Sequence, residues 1–220
     1  MRGAKRGDAV SSAAVYAAVD QGPYGTAPQT AIAVARREEI LTAAADCFGR
    51  DGFHATSISK ISAAAGMSAG HIYHFFPNKE AIVVGIVERW VLEWGNVLER
   101  FQSDDIHAEF VERIYTALDK RTRPEFVAIW HEVLAETAHN PNVSAYVREI
   151  DRTTRLRVVE LVAAVREARG VKTSTPLDVI ADLALSLFEG LSNRVVLNPD
   201  LDKELIKPAL VAATFAIIDA

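Results

Sequence analysis

Apolar residues recur every three or four positions along most of this chain, the spacing that places them on one face of an α-helix. The first such stripe begins near residue 36, and Gly52 is placed to end it. Its apolar positions are Ile40, Leu41, Ala44, Cys47 and Phe48. Beyond residue 101 no segment alternates between apolar and polar residues as a half-buried strand does, so the pattern predicts an all-α protein.

Two short helices are predicted next, separated by Gly66. Either Thr56 or Ser57 can cap the first, and Ser68 can cap the second, because hydroxyl side chains accept hydrogen bonds from free backbone N–H groups. The inward positions of the first helix are Ile58, Ile61 and Ala65.

The second of these short helices has distinct inner and outer faces. With Ile72 at the centre of the buried face, Phe75 and Phe76 lie beside it. The outward positions are then Gly70, His71 and His74. Two short helices joined by a tight glycine turn fit the helix-turn-helix geometry, in which the second helix enters the major groove of DNA.

A longer fourth helix, capped by Asn78, is predicted to connect this unit to the rest of the chain. Its apolar stripe is Val83, Val87, Trp90, Trp94, Val97 and Phe101. Further helical patterns, which bring the total to about nine helices, occupy residues 106–121, 125–138, 143–169, 177–196 and 207–219. The last helix is expected to be regular only from Lys207 onward, because Pro208 lacks a backbone N–H and is best tolerated in the first turn of a helix.

Composition narrows the class of protein. Half of the 220 residues are apolar, enough to bury one sizeable core. The single cysteine allows neither a disulfide framework nor a cysteine metal cage, and it favours a reduced, cytoplasmic setting. No apolar run approaches the roughly 20 residues that cross a bilayer, so no membrane partner is expected. Glycines and prolines cluster at residues 21–29, and residues 1–35 are expected to form a flexible arm.

The charge distribution is compatible with DNA contact but does not establish it. The net charge is −5, yet six basic and six acidic side chains balance between residues 36 and 90. The acidic excess therefore lies in the remainder of the chain, and a neutral N-terminal unit on an acidic body remains able to approach DNA.

The segment TSISKISAAAGMSAGHIYHFFPNKEAI, residues 56–82, resembles the N-terminal domain of the TetR family of regulators. The shared pattern includes Thr56, Lys60, Ala65, Gly66, Ser68, Gly70, Tyr73, Phe76 and Lys79. The resemblance divides the chain into a helix-turn-helix DNA-binding domain at residues 36–82 and a helical effector-binding and dimerisation domain at residues 83–220. From residue 126 the helices resemble the subgroup that includes the regulator BetI.

This resemblance implies a homodimer that binds a palindromic operator in double-stranded DNA, usually as a repressor released by a small-molecule effector. Phosphate contacts are implied for Thr56, Ser57, Tyr73 and Lys79. The positions implied to lie nearest the bases are Ala69, Gly70, His71 and His74, and Ser68 is implied as a further DNA contact. Effector binding is expected to move the fourth helix and so change the separation of the two recognition helices.

Aromatic residues spread over the later helices can surround a cavity for an effector that is at least partly apolar. The predicted ligand contacts are Trp94, Phe126, Trp130, His131 and Tyr146. An aromatic wall would also suit a cationic ligand, and nothing in the sequence selects or excludes that option.

The last two predicted helices carry more apolar residues than one packed face would bury. They either complete the core of one chain or pair across a twofold axis with a second copy. The family resemblance favours pairing, through Leu183, Leu187, Leu191, Val195, Val211, Phe215 and Ile218.

Two other functions remain open from the sequence. One is an all-α enzyme that uses His131, Glu132 and Glu136 as acid and base groups. The other is a helical adaptor that binds proteins and keeps a vestigial helix-turn-helix. Glu136 and His139 have the spacing of a carboxylate-bridged metal site, but the second motif that such a site needs is missing, so neither a metal nor a cofactor is expected.

Overall fold

The structure, a computed structural model, describes residues 30–220, and within that range the chain forms nine α-helices and no strand. The bounds are α1 Ala31–Asp51, α2 Ile58–Ala65, α3 Ala69–Phe75, α4 Lys79–Leu98, α5 Ile106–Arg121, α6 Pro124–Thr137, α7 Pro141–Arg169, α8 Leu177–Leu197 and α9 Lys203–Asp219. We call α1 to α3 the head and α4 to α9 the body. The predicted all-α class and the number of helices are confirmed.

Side-chain caps fix the starts of the short helices where the sequence predicted them. The hydroxyl of Ser57 accepts from the backbone N–H of Lys60, and that of Ser68 from the N–H of His71, each over 3.2 Å. Asn78 caps α4 by accepting from the N–H of Ala81 over 2.8 Å. Each cap satisfies one of the backbone donors that a helix start leaves without a partner.

The turn between α2 and α3 depends on Gly66. This residue is left-handed, with φ of 63° and ψ of 30°, a conformation that side chains with a Cβ rarely adopt. The turn is closed by backbone hydrogen bonds from Gly66 to Ala63 and from Met67 to Ser62, and the Ser62 hydroxyl donates to the Met67 carbonyl. The predicted tight reversal between the two short helices is therefore present.

One apolar cluster runs from the head into the body. It joins Ile40, Ile61 and Ile72 of the head, each fully buried, to Ile86 of α4 and Val133 of α6. A second cluster, farther from the head, is built by α5, α7, α8 and α9. Because the first cluster is continuous, a displacement of α4 or α6 would change how the side chains of the head pack.

Helix α4 packs closely on α1 at Gly85. A Cβ atom at this position would come within 2.9 Å of Leu41 and 3.0 Å of the Phe76 ring. Next to it, the Arg37 guanidinium of α1 donates to the Glu88 carboxylate of α4 over 2.5 Å. The contact between the head and α4 thus combines a close backbone approach with a largely buried ion pair.

Three boundaries differ from the sequence prediction. Residues 1–29 of the expected arm lie outside the described residues, but α1 already begins at Ala31, where Thr30 caps it. Phe101 falls beyond the end of α4 and packs against the second cluster. Helix α9 begins at Lys203, so the expected start at Lys207 is wrong and Pro208 lies inside the helix.

The early start of α9 has a local cause. The Asp202 carboxylate accepts from two backbone N–H groups, those of Glu204 and Leu205, and so caps the helix ahead of the proline. Pro208 then removes only one backbone hydrogen bond from a helix that is already begun. In the described part of the chain, no helix has the length and apolarity to span a membrane.

Candidate nucleic-acid interface and internal cavity

Helix α3 is anchored from one side and open on the other. Ile72 is completely buried and Phe76, directly after the helix, is 3% exposed. On the opposite face Gly70, His71 and His74 are exposed, and a Cβ at Gly70 would meet no atom within 4 Å. The orientation predicted for this helix is confirmed, because its apolar side is covered and its outer side has room for a partner.

Aromatic contacts hold the two outward imidazoles near the helix surface. The rings of His71 and His74 each pack edge-on against Phe75, with centroid distances of 5.3 and 5.2 Å. Tyr73 is 53% exposed. Two imidazoles and a phenol therefore line one open face, and all three groups can hydrogen-bond to base edges or phosphates.

Thr56 is the one predicted phosphate contact whose hydroxyl is buried. The residue is 1% exposed, and its hydroxyl is within hydrogen-bonding distance of the carbonyls of Gly52, at 2.8 Å, and Cys47, at 3.2 Å. The expectation that this side chain meets a phosphate is therefore corrected: Thr56 ties the end of α1 to the start of α2. Ser57 and Ser68 remain exposed, and Ala69 is half-buried.

Lys79, in the first turn of α4, also has a structural role. Its ammonium donates to the carbonyls of Phe53, over 2.6 Å, and Thr56, over 3.0 Å. It also lies 4.1 Å from the centre of the Phe53 ring. Contrary to the sequence expectation, two of its three donors are engaged within the chain, and the residue binds α4 to the loop that precedes α2.

Phe53, in that loop, also receives a contact from the body. The Glu132 carboxylate of α6 accepts from the backbone N–H of Phe53 over 2.9 Å. Two body helices therefore meet at one residue of the head, α4 through Lys79 and α6 through Glu132. The sequence carries no signal for this arrangement, because Glu132 is separated from Phe53 by 79 positions.

A cavity of about 100 Å³ lies in the body, between helices α4, α6, α7 and α8. All three tryptophans of the chain line it, Trp90 and Trp94 from α4 and Trp130 from α6. Phe126 completes the aromatic wall, with its ring centre 4.6 Å from that of Trp90. An adjoining cavity of about 90 Å³ shares Trp94 and Arg121 with the first.

A buried arginine stands among these rings. Arg121, at the end of α5, is 9% exposed, and its guanidinium carbon lies 4.4 Å from the Trp94 ring centre and 5.7 Å from that of Phe126. Within residues 30–220, no carboxylate oxygen lies within 4 Å of its nitrogens, and its buried Nε has no acceptor. Burial lowers the pKa of Arg121, while Glu189 and Asp151 act at longer range in the opposite direction.

Three of the five predicted ligand contacts line the cavity, and two do not. Trp94, Phe126 and Trp130 form its wall. His131 instead lies 2.7 Å from the Asn193 side chain of α8, through its Nε2 atom. Tyr146 belongs to the first apolar cluster, where burial and the neighbouring Glu88 carboxylate raise the pKa of its hydroxyl. Arg121 was missed because a basic last turn is an ordinary way to stabilise a helix end.

The three residues considered as acid and base groups each have a different partner. His131 contacts Asn193, Glu132 binds the Phe53 backbone, and Glu136 accepts from the Asn140 side chain over 3.3 Å. Among the described residues, no cluster of three or more His, Cys, Asp and Glu side chains is arranged to hold a metal ion.

The residues predicted to pair two copies divide into two groups. Phe215 and Ile218 are 8% and 0% exposed and belong to the second cluster, so their assignment to a dimer interface is corrected. Partly buried against the two clusters are Leu187, Leu191, Val195 and Val211. Leu183 of α8 is 49% exposed and remains available to a second copy.

Comparisons with known proteins agree with this architecture. The family model for bacterial regulatory proteins of the tetR family matches residues 40–86, which include both short helices. The model for the C-terminal part of BetI-type transcriptional repressors matches residues 88–218, more than half of the chain.

Individual relatives show the same likeness. The HTH-type transcriptional regulator UidR of Escherichia coli K12 is 30% identical over 129 residues, which are 58% of this chain and 62% of UidR. The match thus spans less than two thirds of that relative. The solved structure of Salmonella enterica GusR is 26% identical, with a TM-score of 0.68 over 85% of this chain and 97% of GusR.

A further solved structure, a transcriptional regulator from Saccharomonospora viridis in complex with choline, is 21% identical. Its TM-score is 0.65 over 80% of this chain and 93% of that protein. This similarity shows a shared fold. The two family models and the likeness to GusR together cover the helix-turn-helix and the helices that follow it. The chain belongs to the TetR family of bacterial regulatory proteins.

Proposed function

We propose that this protein is a dimeric transcriptional repressor that binds a palindromic operator through α3 and leaves it when a small molecule occupies the body cavity. The open face of α3 carries the proposal, because Gly70, His71 and His74 are exposed while Ile72 is fully buried behind them. Membership of a family of regulators supports the same function.

The DNA contacts follow from the exposed groups. Gly70, His71 and His74 would lie nearest the base edges, and Tyr73 would donate its hydroxyl to a phosphate. The Ser57 hydroxyl accepts a backbone N–H as a cap, which leaves its own O–H free to donate to a phosphate. Next to it, the first turn of α4 offers backbone donors and a favourable dipole for the same anion.

A second copy of the chain would cover the exposed apolar positions of α8. Val179 and Leu183, four positions apart and therefore on one face of the helix, are 44% and 49% exposed. Large apolar side chains spaced along one helix suit an isologous contact, in which the same patch of each copy packs on the other. Such a dimer would present two α3 helices to successive major grooves, about 34 Å apart.

Effector control would pass through the two helices that wall the cavity. Helix α4 carries Trp90 and Trp94 in its middle and Lys79 at its start, while α6 carries Trp130 and then Glu132. Lys79 and Glu132 both bind Phe53. A ligand that shifts either helix would therefore move the loop from which α2 and α3 extend, and with it the separation of the recognition helices.

Selection of bound duplexes from a random DNA pool by the full chain tests the function. We expect enrichment of an inverted repeat, because a twofold dimer reads the same bases in each half-site. The variant His71→Ala/His74→Ala should select different bases with the same half-site spacing. Leu134→Ala, an exposed position on α6, should select the original repeat. No enrichment, or an asymmetric motif, would contradict the proposal.

A further inference from the structure

The buried arginines of the body differ in what their guanidinium groups bind. Arg166 of α7 is 7% exposed and donates to the carbonyls of Ile218, over 2.6 Å, and Thr175, over 3.0 Å. The half-buried Arg113 of α5 donates to the carbonyls of Val97, Glu99 and Arg100, at the end of α4 and directly after it. Both arginines bind carbonyls at or next to helix ends, although the Nη2 of Arg166 has no acceptor among the described residues.

Arg121 has no comparable partner in the described part of the chain. It is as buried as Arg166, yet no acceptor faces its Nε and no carboxylate oxygen lies within 4 Å. A second cavity-lining arginine, Arg157, is 5% exposed, and its Nη2 also lacks an acceptor, although its Nη1 reaches Glu160 at 3.5 Å. A buried guanidinium donor without an acceptor is costly, and a ligand that supplied the acceptor would remove this cost.

The aromatic wall already holds a cation. The Arg121 guanidinium lies 4.4, 5.7 and 6.0 Å from the ring centres of Trp94, Phe126 and Trp130. A quaternary ammonium ligand would need these same ring faces and would be repelled by the charge that occupies them. Arg121 therefore occupies the place against the aromatic rings that a cationic ligand would need.

We propose that the cavity binds an organic carboxylate with an apolar body, and that the Arg121 guanidinium holds the carboxylate. The planar fork of arginine matches the two oxygens of a carboxylate, and the tryptophan and phenylalanine rings cover the apolar part. This inference rests on the proposed function only in assigning the cavity to the effector.

A single negative charge fits this surrounding better than a doubly charged group. The walls are mostly apolar, so each charge brought into the cavity must give up its water. Asp151 and Glu189 also border the cavity, and both are exposed. Their carboxylates would repel a dianion more strongly than a monoanion, whereas Arg121 can satisfy one carboxylate group.

Tryptophan emission reports occupancy of the cavity without DNA, since every tryptophan of the chain lines it. The probes are 3-phenylpropanoate, its neutral amide and 2-phenylethyltrimethylammonium, which share a phenylethyl body and do not absorb where tryptophan is selectively excited. We expect the carboxylate to bind about tenfold to a hundredfold more tightly than the amide, the range for a hydrogen bond to a charged group. The ammonium compound should bind most weakly.

Variants assign the preference to one residue. Arg121→Met, which keeps the length of the side chain, should reduce the carboxylate preference to within about twofold, and Arg121→Lys should restore part of it. Arg148→Met makes the same change at an exposed position of α7 and should leave the preference intact.

The inference is overturned if the carboxylate gives no saturable response, if the unmodified chain binds amide or ammonium equally well, or if Arg121→Met keeps the preference. The comparison of probes on the unmodified chain stands even where a variant does not fold. A retained carboxylate preference together with no operator binding would contradict the proposed function and leave this inference supported.

Discussion

The head and the cavity of the body differ in how their polar groups are satisfied. In the head, Ser57, Ser68, Thr56 and Lys79 all bind backbone groups a short distance away, so the loop and turns are held before any DNA arrives. In the cavity, Arg121 is buried with no acceptor for its Nε among the described residues. The shape of the head is thus fixed by its own chain, whereas under our proposal the charge of Arg121 is left for a ligand to satisfy.

The two regions meet at the contact between α1 and α4, and the largest expected effect lies there. Gly85→Ala should lower the free energy of unfolding by about 2–3 kcal/mol, because the new methyl group overlaps the buried side chains of Leu41 and Phe76. Denaturant titration at one fixed protein concentration measures the change, since dimerisation makes stability depend on concentration.

Gly70→Ala is the matched control for this substitution. It makes the same change in a helix where no atom lies within 4 Å, and it should raise stability by up to about 1 kcal/mol through helix propensity. Equal effects of the two alanines would show that the close packing of α4 on α1 does not exist.

A smaller loss of stability is expected when hydrogen bonds within the head are removed. Lys79→Met deletes the donor to the carbonyls of Phe53 and Thr56 while keeping much of the apolar stem, and should lower the free energy of unfolding by about 1–2 kcal/mol. Operator affinity should fall with it. If Lys79 instead served mainly as a phosphate contact, stability would not change and only the salt dependence of DNA binding would decrease.

The smallest effect concerns the link between cavity and head. Glu132→Ala leaves the Phe53 N–H without its acceptor, and it should reduce the factor by which 3-phenylpropanoate weakens operator binding by about threefold to tenfold. Binding of the probe itself, read from tryptophan emission, should stay within about twofold. Glu132→Gln keeps an acceptor oxygen and should retain the coupling; a coupling factor unaffected by alanine would exclude α6 as a route.

The sequence predicted the head well because its structure is set by local rules. Ser57, Ser68 and Asn78 act as caps on residues three positions away, and Gly66 meets a requirement for one backbone conformation. Both kinds of interaction can be recognised from neighbouring residues alone. The outward placement of His71 and His74 followed from the helical period once Ile72 was assigned to the core.

The body was predicted less well because its important contacts are distant in sequence. Nothing near Arg121 indicates that its charge will be enclosed by Trp94 and Phe126, and a helical stripe does not tell which partner covers it. From the sequence alone, Phe215 and Ile218 therefore fitted a dimer interface as well as they fitted a core. In the structure they belong to the core. Tyr146 and His131 were placed in the cavity from residue type, and residue type alone does not fix direction.

Affinity cleavage from α3 tests whether this helix enters the major groove of the operator. The only native cysteine, Cys47, is 1% exposed, so a cysteine placed at Gly70 can be labelled selectively with a DNA-cleaving iron chelate. The same label at Leu134, 43% exposed on α6, serves as the control. We expect two symmetric groups of cuts, one in each half-site of the operator, from position 70 and none from position 134. Cuts of equal strength from both positions, or none from position 70, would contradict it.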